Sequence, residues 1–390
     1  MHDEAMGDEK SERLSAADQE QLQRQLKAML AKAQAENRVE IKVRSSKNLL
    51  DWFVNNKVNV LFTTASASKL FCLTLSESAD SLQVAERNFN GCMALAARGP
   101  NSLYLSTRQK IWRLENAVPH DQEVKGMQKL FIPRHGYVTG ECQALDFGFE
   151  SSGGLIFVNS LFSCLATVSE RHSFTPLWKP RFVSQLISEQ RCFLSGLAMA
   201  DGKPKYVTAF AASDEALGWQ QQPMNAGILM DVPTNEVIVT GLNRPFCPRL
   251  YQDQLWLADS ASGYLGYVDL KSLSFHPVTF CPGRIRSVDF VGQYAVVGVS
   301  RPQSEDQLLL KNVKDHGLEP SCGIFIIDLN SGERIAHMTF DQVINEVAST
   351  LILPDLKRSA IIGLNTPEMG RMITVGAPRR RPAPGSKSKH

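Results

Sequence analysis

The stretch LWLADSASGYLGYVDLKSLSFHPVTF, residues 255–280, decides the fold. An apolar run ends in Asp259-Ser260, and a turn around Gly263 leads to a second apolar run ending in Asp269. A further turn leads to a third run, FHPVTF. Runs this short, separated by turn residues, are strands, and one or two of them cannot bury a core alone. The same order recurs in LFTTASASKLFCLTL from Leu61, LYLSTRQKIWRLEN from Leu103 and LIFVNSLFSCLATVS from Leu155. AVVGVSRP from Ala295 resumes after an insertion as CGIFIIDLNSGERIAHMTF from Cys322, and a weaker copy runs from Tyr206 to GILMDVPTNEVIVTG at Gly227. The starts lie roughly 40 to 50 residues apart, the period of four-stranded propeller blades.

The pattern therefore predicts an all-β chain, a β-propeller of six four-stranded blades, with the two end copies loose enough to fit five or seven. Radial stacking buries both faces of each small sheet and leaves only short edges. Near-continuous apolar strands such as GIFIID suit a sheet covered on both sides. The expected divisions are an N-terminal extension over 1–38, the propeller over 39–376 and a disordered basic tail over 377–390. In the extension, Ser15 and Asp18 form a helix start, and Leu22, Leu26, Met29, Leu30 and Ala33 follow at helical spacing. That helix packs on the body or meets a partner. Beyond it no long-helix pattern stands out, which argues against a doubly wound α/β fold. The polar insertion 301–320 reads as a surface loop, with a lid as the alternative.

Composition narrows the class. The 390 residues are 43% hydrophobic and 21% charged, with a net charge of only +2. This balance does not suggest nucleic acid or a membrane surface, and no apolar run approaches the roughly 18 to 20 residues that span a bilayer. The acidic N-terminus lacks a secretory signal pattern, so the expected location is cytoplasmic. The eight cysteines, spread singly with no CxxC, read as free, mostly buried thiols. The eight histidines show no metal-ligand spacing such as HxH or HExxH. A GxSxG elbow and a phosphate-cradling GxxxxGK[ST] are also absent from the sequence. No cofactor and no metal are expected.

In a propeller the ends of the innermost strands converge on a central channel, so candidate site residues flank those strands. They are Glu141, Asp146, Asn159, Arg191, Ser195, Arg249, Asp259, Ser260, Arg286 and Glu346, with Arg244 and Arg284 beside them. Each also has a structural reading: Asp259-Ser260 can close a turn, and arginines near carboxylates can be ion pairs lining the channel. Together they suggest a polar, anion-accepting mouth.

Several blocks in order, GLIFVNSLFSCLATVSERHSFTPLWKPRFVS, RCFLSGLAMADGKPKYVTAFAASDEALGW, PRLYQDQLWLADSASGYLGYVD and CPGRIRSVDF, resemble a mainly bacterial family of conserved hypothetical proteins of unknown function, some of them fused to tetratricopeptide repeats. The resemblance covers roughly residues 50 to 375. It implies three histidine-bearing motifs, matched here by ECQALD (141–146), RCFLSGLA (191–198) and PFCPR (245–249). The implied histidines fall on Leu145, Phe193 and Phe246, and an implied asparagine on Ser195. Three imidazoles at converging loops would make an open metal site. Leu and Phe can neither ligate a metal nor carry a proton, so this chain would lack that chemistry. The neighbouring Cys142, Cys192 and Cys247 offer an alternative soft-metal set.

Two functions follow as expectations. One is a non-catalytic propeller with a degenerate central site, binding a protein partner or a small anionic ligand. The other is a small-molecule enzyme, a hydrolase or a metal-dependent one, acting in the channel through Glu141, Asp146, Asp259 or Glu346. A weaker third is an assembly scaffold that uses the N-terminal helix.

Overall fold

A computed structural model describes residues 43–375 apart from 120, 121 and 342; the expected N-terminal helix and basic tail lie outside the described residues. The strands form six sheets, and their innermost strands neighbour one another in a closed cycle. The chain is thus a six-bladed β-propeller.

Blade 5 shows the pattern in its simplest form, with Pro245–Tyr251 innermost, followed outward by Gln254–Asp259, Tyr264–Asp269 and Ser274–Phe280, all antiparallel. Blade 4 repeats it over Leu194–Ala200, Lys203–Ala209, Gly227–Asp231 and Glu236–Leu242. Blade 3 does so over Ala144–Phe149, Leu155–Asn159, Cys164–Thr167 and Thr175–Trp178. Blade 2 starts at Leu95–Arg98 and ends at Lys129–Val138, with Ser359–Ile361 added in parallel on its outer edge. Blade 6 runs from Arg284–Val291 to Arg334–Phe340, and Val43–Ser45 pairs with its outer edge. Blade 1 joins the two ends of the chain: its inner strand is Ser349–Leu353, and its outer three are Asn59–Thr64, Lys69–Leu75 and Leu82–Asn88. The ring is therefore closed by backbone hydrogen bonds between distant segments.

Each conspicuous repeat begins on the second strand of a blade. Those strands are covered on both faces: every residue of Asn59–Thr64 and Leu155–Asn159 is buried. Outermost strands meet water and are mixed in character, as in Leu82–Asn88. In blades 1, 2 and 6 a Ser or Thr at or near the end of the second strand fastens blades together. Thr63 Oγ1 donates to Met93 O (2.5 Å), Ser106 Oγ to Ala144 O (2.8 Å) and Ser300 Oγ to Val347 O (3.3 Å). Each acceptor lies at the entrance to the next blade.

Two short helices accompany the blades. α1, Leu49–Asn56, buries Leu49, Trp52 and Phe53, and Trp52 meets Tyr294 of blade 6 edge-on at 5.9 Å. Lys57, in a left-handed conformation, ends it. The insertion expected as a loop contains α2, Gln307–Asp315. Leu309 and Val313, one turn apart, pack with Phe280 of blade 5. Asn312 Nδ2 donates to Ser262 O (2.9 Å), and His316 stacks on Phe280 at 4.1 Å. These contacts pack α2 against blade 5. Among the described residues, no helix is long and apolar enough to cross a membrane.

Candidate functional site

Inner strands begin at one face of the ring, where the blade-to-blade loops meet the loops joining second to third strands. In blades 3 to 6 the start of the inner strand is irregular. Register shifts fall between Ala144 and Phe147, Leu194 and Gly196, Phe246 and Arg249, and Ile285 and Ser287. Each inserts an extra residue, which breaks alternation and re-aims side chains. Gln143, Phe193 and Arg244, each directly before an inner strand, have φ of 48°, 50° and 49°. For a residue as bulky as Phe193 this left-handed backbone costs about 1–2 kcal/mol, so its ring must be held by its surroundings.

Aromatic contacts hold it. Phe193 stacks on Phe210 at 4.1 Å and meets Trp219 and Phe246 edge-on at 4.9 and 6.2 Å. Leu145 packs against the same apolar cluster. Of the three positions where the family resemblance implied histidine, Phe193 and Phe246 meet at the mouth.

Two cavities open there. One, of about 240 Å³, is lined by Phe193, Phe210, Trp219 and Phe246 together with Arg244, Arg284 and Arg286, and also by Ser260 and Glu305. The other, of about 610 Å³, is polar and includes Arg284, Arg286, Arg301, Asn345 and Glu346. Arg284, Arg286 and Gln303 border both. Residues 301–305, the approach to α2, supply one wall.

These arginines are not equally engaged. Arg301 is spent on structure: it donates to Asn345 Oδ1 (3.1 Å), Pro320 O (2.9 Å) and Phe340 O (3.4 Å). Arg286 lies over the Phe246 ring at 4.7 Å with Glu346 at 3.6 Å, and its buried Nε has no hydrogen-bond partner. Arg284 reaches Asp306 and Gln303 only at 3.5 Å, and its buried Nε also lacks a hydrogen-bond partner. Arg244 lies over Trp219 and Phe210 at 5.2 and 5.7 Å. Burial, and then the neighbouring Arg284 charge, push the pKa of Arg244 and Arg286 down, while nearby carboxylates pull it back up. Three close cations with unused donors favour an incoming anion.

The other candidates sit elsewhere. Asp146 and Arg249 form a fork across the inner wall, with Nη1–Oδ2 at 2.7 Å and Nη2–Oδ1 at 2.8 Å. Asp146 also accepts the N–H groups of Phe147 and of Leu197 in the next blade, both at 2.9 Å. Burial works against the Arg249 charge, yet the Asp146 carboxylate more than compensates, and its pKa lies above the usual value. Ser195 Oγ donates to Pro245 O (2.6 Å), linking blades 4 and 5. Asp259 accepts from Asn243 and Ser262 and closes a turn; burial raises its pKa. Asn159 is buried and accepts Phe162 N–H (3.1 Å). Arg191 is held by Glu189 and Asp214 at 2.9 and 2.6 Å, and Glu141 is exposed, 3.9 Å from Arg108. Of the ten candidates, only Ser260, Arg286 and Glu346 border the two cavities, joined there by Arg244 and Arg284.

The three-thiolate alternative does not survive. Cys142, Cys192 and Cys247 are buried in three different apolar clusters. Burial pushes Cys192 and Cys247 up to about 12 and raises Cys142 as well, so none is a ready thiolate. Among the described residues, no group of three or more His, Cys, Asp or Glu could hold a metal ion. Phe210 and Trp219 were missed from sequence. Phe210 closes a strand, and Trp219 sits in a short turn, Gly218–Gln221, whose EALGW context has no periodicity.

Fold and site together define a closed six-bladed propeller with a cationic, aromatic-walled mouth. The chain belongs to the family described as Domain of unknown function (DUF4915), whose model matches residues 47–362. No curated protein matches the sequence. Among solved structures, one similar chain is from a nidogen/laminin complex, at 10% identity and TM-score 0.47, over 77% of this chain and 99% of that one. Another is a protein of unknown function from Bacteroides caccae, at 9% identity and TM-score 0.36, over 76% and 98%. A third is the computationally designed Ika8 protein, at 10% identity and TM-score 0.34, over 74% and 76%. The blade count rests on the strand pairing described above.

Proposed function

We propose that this propeller is a non-catalytic binding module whose mouth receives a small anionic ligand. One observation carries the reading: Arg284 and Arg286 border both cavities, the buried Nε of Arg286 has no hydrogen-bond partner, and that of Arg284 is met only by Asp306 at 3.5 Å. Buried donors normally find acceptors, and leaving one unmet costs about 1–3 kcal/mol. An oxyanion between them would satisfy these donors and relieve the repulsion among the arginines. The enzyme reading gains less support. Asp146 and Asp259 are saturated with hydrogen bonds, and Glu141 stands in solvent. Of the four carboxylates expected to act, Glu346 is the one that borders either cavity at the mouth, and it faces Arg286.

Calorimetric titration with inorganic phosphate at low salt tests this, with Arg286→Met as the control. Saturable binding that the substitution weakens is the expected result. Ligand at ten times its Kd should add about 1.4 kcal/mol of stability. Absence of any saturable binding, or equal binding by Arg286→Met, would refute the reading. Stoichiometric, tightly held metal in the purified protein would count against the non-catalytic part.

A further inference from the structure

Resting on that reading, we infer that the mouth selects an aromatic oxyanion: a flat ring seated against Phe193, Trp219 and Phe246, carrying a carboxylate or phosphate received by Arg244, Arg284 and Arg286. Anion binding alone needs no aromatic wall, yet four aromatic side chains line the smaller cavity together with its arginines. Its volume of about 240 Å³ is enough for one substituted ring, since an apolar cavity of ~150 Å³ accepts benzene. The rings of Phe193 and Trp219 stand at 67° to one another and Phe193 and Phe246 at 79°, so the wall presents both faces and edges. Such surfaces suit stacked and edge-on aromatic contacts. The Trp219 indole Nε1 is buried without a hydrogen-bond partner. Arg286 over Phe246 and Arg244 over Trp219 fix the charges at the border between the apolar and polar sides. The ring and the anionic group therefore have adjoining places.

The test is calorimetric titration of the full-length protein at low salt with phenyl phosphate, inorganic phosphate, benzoate and acetate. Each ring-bearing anion is expected to bind about tenfold or more tightly than its ring-free counterpart, the scale of burying one aromatic group. Phe193→Leu, verified as folded by circular dichroism, should erase most of that ratio and leave inorganic phosphate unaffected. Arg286→Met should weaken all binding. Equal affinities with and without the ring would overturn this inference while anion binding stands. A ratio unchanged in Phe193→Leu would place the ring elsewhere and also overturn it. No binding of any probe would overturn both readings.

Discussion

Replacing Arg249 by methionine should destabilise the ring by about 3 kcal/mol, through loss of charge compensation deep in the channel wall. The substitution keeps much of the apolar stem and removes both arms of the fork to Asp146. The carboxylate would keep the Phe147 and Leu197 N–H groups but lose its counter-ion. Breaking a buried ion pair on one side costs ~3–5 kcal/mol. The lower end applies because 29% of the Arg249 side chain is exposed and water screens part of the charge, whereas the Asp146 side chain is 9% exposed. Arg249→Lys keeps the charge but loses the two-armed geometry and should cost about half as much. Urea unfolding at pH 7, followed by tryptophan fluorescence, measures each variant. The Asp146→Asn/Arg249→Met double variant should cost about 2 kcal/mol less than the two single costs summed. Costs that simply add, or an Arg249→Met protein within about 1 kcal/mol of wild type, would refute the idea that this fork binds blades 3, 4 and 5 together.

Asp214 provides a pH signature. The Ser184 backbone N–H, the Ser184 side chain and Arg191 hold its carboxyl at about 2, below an unfolded value of about 3.9. Its stabilisation is therefore present above about pH 4 and is lost as the pH falls through about 2; the stability gap between wild type and Asp214→Asn should close over that range in acid-titrated urea melts. Gly196→Ala should cost about 1–3 kcal/mol in the same melts, because the new Cβ meets the Pro248 ring and, at 2.9 Å, the Cys247 backbone nitrogen. Gly148→Ala should cost less, since its obstacle is the flexible Met199 side chain. All eight cysteines are buried and free, so a thiol reagent should label none rapidly in native buffer and all of them in urea. Ending the chain after Ala348 removes the inner strand of blade 1 and should abolish the cooperative unfolding transition, which circular dichroism would show; removing the Val43–Ser45 edge strand should leave it intact.

The fold was legible wherever burial covers both faces of a strand. LWLAD, LIFVN and AVVGV announce second strands because every position must be apolar or small. Inner strands are harder to read. LSGLAMA and RIRSVDFV carry bulges, and polar groups there bond across to the next blade, so alternation fails. Asp289 illustrates this: it accepts the Ile352 N–H at 2.7 Å from blade 1, as Asp146 accepts Leu197 from blade 4. The repeated Asp-Phe pair at 146–147 and 289–290 was the visible trace of that fastening. α1 carried a signal in Leu49, Trp52 and Phe53, spaced i, i+3, i+4. α2 has only Leu309 and Val313 buried, flanked by polar residues, and so resembled a loop. At the mouth, Arg286 and Glu346 were visible as charges near strand ends. Their separation from the equally charged Asp146, Arg249 and Arg191 was not, because pairing depends on contacts such as Asp146–Arg249 that span distant parts of the chain.

The closing strand also sets a timetable for synthesis. Asn59 pairs with Leu353, and Thr63 with Ser349, so blade 1, whose other strands are made before those of blades 2 to 6, must wait for a strand made after them before it is finished. Until then Asn59–Thr64, buried throughout in the completed ring, offers a bare edge to any other nascent chain. Such late, long-range pairing makes folding slow. The period of greatest risk for this protein is therefore its birth, when chaperone protection would matter most.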